Sequence, residues 1–233
     1  MSTAAWFHCG AGTAGDMTLA SLIDAGADSL QVIEILGGLA LDDYALMFER
    51  TQRAGVGATR AIVGVHQHDD HDSHHRAWRD IKQLLIDSEL PARVRERALK
   101  VFGMLAEVEA NIHGVGVNDI EFHEVGSVDA IVDIVGVCAA LEVLKIDRIF
   151  CSNIAVGHGH INSAHGTLPN PAPAVTALAA LREITLIGLD DHRELATPTG
   201  VALMAALADS FGAMPPLTVS GVGYGAGTND IPG

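Results

Sequence analysis

Aromatic side chains are scarce, at 4% of the 233 residues, and so are basic ones, with 14 Lys and Arg against 29 Asp and Glu. With hydrophobic residues at 48%, the first shortage means that the core must be built from Ala, Val, Leu and Ile. The second leaves a formal net charge of −15, a field that repels phosphate backbones and anionic lipid. Nucleic acid and membrane surfaces are therefore not expected partners. The cysteines are few and scattered, Cys9, Cys138 and Cys151 with no CxxC pair, which argues against a disulfide framework and a structural zinc site and suits a reducing compartment. No apolar run reaches the roughly 18 residues of a spanning helix, and no basic stretch leads into an apolar one at the N-terminus. The expected location is cytoplasmic.

What the chain does contain is an α/β pattern. Ala4–Cys9 reads as a buried strand, Gly10–Gly15 as a glycine-rich turn, and Asp16 to about Ala25 as an amphipathic helix, a strand, loop and helix in series. A helix near Ser29–Leu36 precedes strand-like runs at Tyr44–Arg53 and Ala58–His66, joined by a hairpin turn at Ala54–Gly57. Helices are expected at Trp78–Leu85, from Pro91 to near Gly114, and from Ser127 through Leu144. Beyond them, Ile146–Val156 reads as one strand and Gly166–Pro173 as a proline-rich loop. Ala174–Leu181 follows as a helix, Glu183–Leu189 as a strand and Pro198–Ala208 as a helix. The fold class is α/β, a sheet with packed helices. Residues 1–219 form the expected domain, and the glycine-rich 220–233 reads as the start of a linker to a further domain.

The densest chemistry lies between Glu109 and Asp133. Glu109 and His113 stand four apart on one helix face, His123 and Glu124 follow, and Asp129 and Asp133 again stand four apart on an otherwise apolar helix. No Lys or Arg falls between Lys100 and Lys145 to balance them. Carboxylates on helices that must pack need a cation or hydrogen-bond donors, and imidazoles beside carboxylates suit zinc, nickel, manganese or iron. The plain alternative is Asp129 in a first helical turn, where the dipole favours an anion.

Four further patterns point to ligands. Gly12, Thr13, Gly15 and Asp16 form a loop between strand and helix of the kind that presents N–H groups to a phosphate; a tight turn capped by Asp16 would look the same. Thr197, Thr199 and Gly200 open another helix and offer hydroxyl and N–H groups, or simply cap it. His158 and His160, two apart, would face one side of an extended segment, with His165 close behind. The tract His66–His75 holds five histidines, His66, His68, His71, His74 and His75, and three aspartates. It reads as a surface loop that captures a soft or borderline cation.

Five blocks carry a resemblance. They are Gly12-Thr-Ala-Gly-Asp-Met17, Leu105-Ala-Glu-Val-Glu-Ala-Asn-Ile-His113, the run from Phe122 to Gly136, the run from Ala164 to Ala174, and Thr197-Pro-Thr-Gly200. In this order they resemble the LarC family, the nickel-insertion proteins of nickel-pincer nucleotide cofactor biosynthesis. The resemblance implies nickel insertion into pyridinium-3,5-bisthiocarboxylic acid mononucleotide, with nickel–carbon and nickel–sulfur bonds formed. It further implies coupling to CTP hydrolysis with a divalent ion such as manganese or magnesium, nucleotide binding residing in a C-terminal domain. On that reading Asp16, His123 and Glu124 are catalytic. A carboxylate or imidazole of the cluster takes the proton lost from the pyridinium carbon. Two other functions fit the residues, a nickel metallochaperone built on His66–His75 and a metal-dependent phosphohydrolase using Asp129 and Asp133. The sequence leaves homo-oligomer formation open.

Overall fold

The computed structural model describes residues 2–41, 44–65, 76–123, 125–163 and 166–227. In chain order these form β1 (Thr3–Phe7), α1 (Gly15–Asp24), α2 (Ser29–Leu36), β2 (Tyr44–Arg53), β3 (Val56–Val65), β4 (Arg76–Ala77) and α3 (Trp78–Asp87). Then come α4 (Ala92–His113), β5 (Glu121–Phe122), α5 (Val128–Val143), β6 (Ile146–Cys151), β7 (Ile154–Val156), β8 (His160–Ser163) and β9 (Gly166–Pro169). The chain continues through α6 (Pro173–Leu181), β10 (Leu186–Gly188), α7 (Pro198–Leu207) and β11 (Ser210–Phe211).

The mixed α/β class expected from the sequence is the one observed. β6 is the middle strand of a parallel sheet ordered β1, β6, β11. Its partner β1 ends with Phe7 opposite Cys151. Two thiols then meet at the strand ends, Cys9 Sγ and Cys151 Sγ lying 3.6 Å apart. The expected single strand Ile146–Val156 is broken after Cys151. Ser152 N–H donates to Phe7 O and its Oγ accepts from Cys9 N–H, so the next residues leave β1 and pair as β7 with β10. The segment expected as a proline-rich loop instead supplies β9, antiparallel to β8. Pro169 sits at the end of that strand, where the missing N–H costs no ladder bond.

Helix α5 is the centre of the core. Nearly all its residues from Val128 to Leu141 are buried, because α1, α2 and α4 cover it. Ser127 caps it, accepting from Ala130 N–H at 3.3 Å. Ser127→Ala should cost about 1 kcal/mol, the usual value of such a cap, read as a lower urea midpoint with unchanged slope. Long α4 ends as its sequence suggests, at Gly114 in the left-handed conformation, φ +68°. The β2–β3 hairpin turns at Ala54 and Gly55, both at positive φ, as short hairpins require.

Where a linker is expected from residue 220 onward, the described part of the tail packs onto the domain. Thr59 N–H donates to Tyr224 O, and Ala226 N–H to Thr59 O. The Asp24 carboxylate at the end of α1 accepts from Tyr224 N–H and Thr59 Oγ1 and pairs with Arg50. Burial pushes the Asp24 carboxyl up, but these donors and the guanidinium outweigh it and hold it below its usual range. Among the described residues no helix is long and apolar enough to cross a membrane.

Candidate functional site

Three helix starts converge on one cavity of about 410 Å³. Gly15 and Asp16 come from α1, Ser127, Asp129 and Asp133 from α5, and Thr197, Pro198 and Thr199 from α7. Each start brings the positive end of a helix dipole to the edge of the same space. The α1 and α7 starts are locked together by the backbone. Thr13 N–H donates to Leu195 O, and Thr197 N–H donates to Thr13 O. Gly200 lies so close that a Cβ there would fall 2.3 Å from Thr13 O.

Part of the glycine loop expected to cradle a phosphate is engaged within the fold. Gly12 N–H is spent on Cys9 O and Thr13 N–H on Leu195 O, while Gly200 serves close contact between backbones. Ala14 stands at the N-cap of α1, and Asp16 lies inside the first turn, its Oδ1 accepting from Met17 N–H. Of the four carboxylates that line the cavity, Asp16, Asp129, Asp133 and Glu194, the three aspartates are electrically coupled. Burial raises Asp16 above its usual range, Asp129 adds to the rise, and Met17 N–H and Arg60 oppose it. Asp129 opens onto the cavity yet is partly desolvated by its walls, which raises it too. Asp133 is raised furthest, by burial first and then by repulsion from Asp129 and Asp16, against one N–H bond from Asp16. It is 5% exposed, and its Oδ1 has no hydrogen-bond partner among the described residues. Arg60, from β3, is the cation among the described residues that line this chamber.

A second, more apolar chamber of about 260 Å³ adjoins the first, sharing Val125, Glu194 and Pro198 with it. The last turn of α4 supplies Glu109 and His113, whose Oε2 and Nε2 are 3.6 Å apart. The chain reverses at Gly114 and returns through β5, bringing the His123 ring to 5.9 Å from that of His113. Ile161 and Leu168 of the β8–β9 hairpin close the far side.

The stretch from Glu109 to Asp133, continuous in sequence, is thus divided between two chambers. Glu109, His113 and His123 line one, while Asp129 and Asp133 join Asp16 in the other. Among the described residues no three His, Cys, Asp or Glu side chains stand close enough to hold a metal ion by themselves. His158 and His160 do not share one continuous strand. Gly159 between them takes φ +88°, which breaks the extended alternation; His158 instead bonds Asp190 at 3.0 Å and packs edge-on against His192. Glu124, His165 and the tract His66–His75 lie outside the described residues. Arg60, Glu194 and His192 were not singled out by sequence, for none sits in a motif; only the pairing of distant elements brings them in.

The nickel insertion protein family matches this chain over residues 5–233. A pyridinium-3,5-bisthiocarboxylic acid mononucleotide nickel insertion protein of Staphylococcus epidermidis is 42% identical over 231 residues, covering 99% of this chain and 57% of its own length. A putative nickel insertion protein of Geobacter sulfurreducens is 45% identical over 228 residues, 97% of this chain and 57% of that protein. One from Gloeobacter violaceus is 44% identical over 229 residues, 98% and 54% respectively. The chain therefore spans a little under three fifths of the length of these relatives. No solved structure matches it.

Proposed function

The chain belongs to the nickel insertion protein family, and from that premise we propose that its two chambers receive a pyridinium mononucleotide and the nickel to be inserted into it. The observation that carries this reading is the adjacency of an apolar chamber bearing imidazoles to a polar one at three helix starts. A mononucleotide has the same division, a flat ring at one end and a phosphate at the other. Together the chambers fall within the roughly 300–1,000 Å³ of small-ligand sites.

Nickel, as a substrate, is held by His113 and His123 with Glu109 beside them, since imidazole is a favoured donor for this ion and the pocket walls limit its water. The ring enters between these histidines and the β8–β9 hairpin. There the pyridinium carbon loses its proton to an imidazole or carboxylate as the nickel–carbon bond forms, and the thiocarboxylate sulfurs complete the coordination with no change in nickel oxidation state.

Nickel titration of His113→Ala and His123→Ala tests the assignment. Loss of one imidazole should weaken nickel binding by at least about tenfold, in line with the cost of disturbing a metal's ligand shell. Wild-type nickel affinity in both variants would reject the imidazole chamber as the nickel site.

A further inference from the structure

The polar chamber poses a problem for the phosphate assigned to it. Asp16, Asp129, Asp133 and Glu194 face a space that must accept a dianion, and Arg60, already shared with Glu49 at 3.4 Å, is the one cationic side chain among the described residues that line it. The helix starts supply only partial charges, about half a unit each. These carboxylates and a phosphate in a partly desolvated chamber repel one another unless a further positive charge joins them.

Asp133 shows where that charge goes. Its side chain is 95% buried by the exposure above, one oxygen accepts from Asp16 N–H, and the other has no partner among the described residues. An orphaned carboxylate oxygen in a core is costly and calls for a ligand. The backbone also makes room for it. A Cβ on Gly15 would fall 2.6 Å from Asp133 Oδ2, so only glycine at the start of α1 lets this carboxylate stand against the loop. Asp129 lies one turn earlier on the same face of α5 and opens onto the same chamber.

We infer that Asp133 and Asp129 form a second metal site, distinct from the imidazole chamber, which binds a hard divalent cation such as magnesium or manganese and through it the phosphate of the mononucleotide. The donor chemistry separates the two sites, oxygen alone here and nitrogen there. The shortage of preformed ligands agrees with this class of site. Magnesium is ordinarily held by one or two carboxylates, several waters and the phosphate itself, not by a complete protein cage. Thr199 and Ser127 line the remaining wall, where their hydroxyls and the Thr199 N–H take phosphate oxygens that the cation leaves free. Asp16 is a positioning residue, its N–H fixing one oxygen of Asp133.

This inference rests on reading the cleft as a mononucleotide site, and the test keeps the two apart. The full 233-residue chain is titrated with nicotinic acid mononucleotide, a pyridinium mononucleotide, first in EDTA and then with magnesium. Manganese binding is followed separately by electron paramagnetic resonance, and circular dichroism checks that each variant is folded. Wild type should bind the mononucleotide at least about tenfold more tightly with magnesium, a typical coupling between two ligands. Asp133→Asn and Asp129→Asn should both lose that enhancement and the bound-manganese signal while keeping nickel on the imidazoles. Equal mononucleotide affinity in EDTA and magnesium would overturn the bridging role. Undiminished manganese binding in both variants would overturn the site. If the mononucleotide binds under neither condition, the cleft assignment fails, and the manganese signal of the variants alone still decides whether the cation site exists.

Discussion

Gly12→Ala should lose about 3–5 kcal/mol of stability, combining a left-handed backbone cost of about 1–2 kcal/mol with an overpacking cost at or above the usual 1–3 kcal/mol. Gly12 has φ +100°, and a Cβ there would fall 1.8 Å from Leu195 O. The atom it meets is main chain, held by the Thr13–Leu195 hydrogen bond, and cannot rotate away. Gly26 provides the control. It has φ +110° but nothing within 4 Å of its Cβ position, so Gly26→Ala should show the conformational cost alone. Urea denaturation of the two variants separates the terms. Equal midpoints would mean that the α1 and α7 starts are not clamped as described, and that Gly12 serves a bound phosphate after all. A glycine kept only for ligand approach would weaken binding and leave the fold intact.

Local signals in the sequence are sound where the physics is local. Ser127 caps α5, Gly114 ends α4, and the glycine at 55 turns the β2–β3 hairpin, each through groups within four residues of one another. Local patterns say least about contacts between distant segments. Glycines in the loop after β1 read as a phosphate cradle, and those at 223 and 225 as part of the start of a linker. Yet a Cβ at Gly225 would fall 1.8 Å from Met17 O, and one at Gly223 2.1 Å from Ser21 O. Composition does not distinguish a glycine that frees the chain from one that lets two backbones touch. The carboxylates and histidines from Glu109 to Asp133 read as a single cluster because they are near one another in sequence. The left-handed turn at Gly114 sends His123 back to His113, while α5 sets off toward α1. Asp133 therefore meets Asp16, which sequence had placed in a separate motif. His158 and His160 show the converse, neighbours in sequence that one left-handed glycine turns apart.

Asp133→Asn should stabilise the metal-free protein at neutral pH by about 1–3 kcal/mol, because a neutral amide replaces a buried carboxylate whose charge is poorly solvated. The pH dependence fixes the sign. Because the native carboxyl is raised above the ordinary 3.8, the folded chain holds its proton more tightly than the unfolded chain does. The stability associated with that proton is fully present below the unfolded value and is lost as pH rises through the native one. Asparagine has no such proton to lose. The two proteins should therefore melt together in acid, and the variant should melt progressively higher as pH rises, when both are scanned in EDTA. Saturating manganese should then reverse the order, because a cation bound by the native carboxylates stabilises wild type by mass action and gives the variant little. A variant that melts lower than wild type at neutral pH in EDTA would show that the ionised Asp133 is already satisfied within the fold. The reversal with manganese ties the two observations together: the carboxylate that weakens the empty fold is the one that the cation requires.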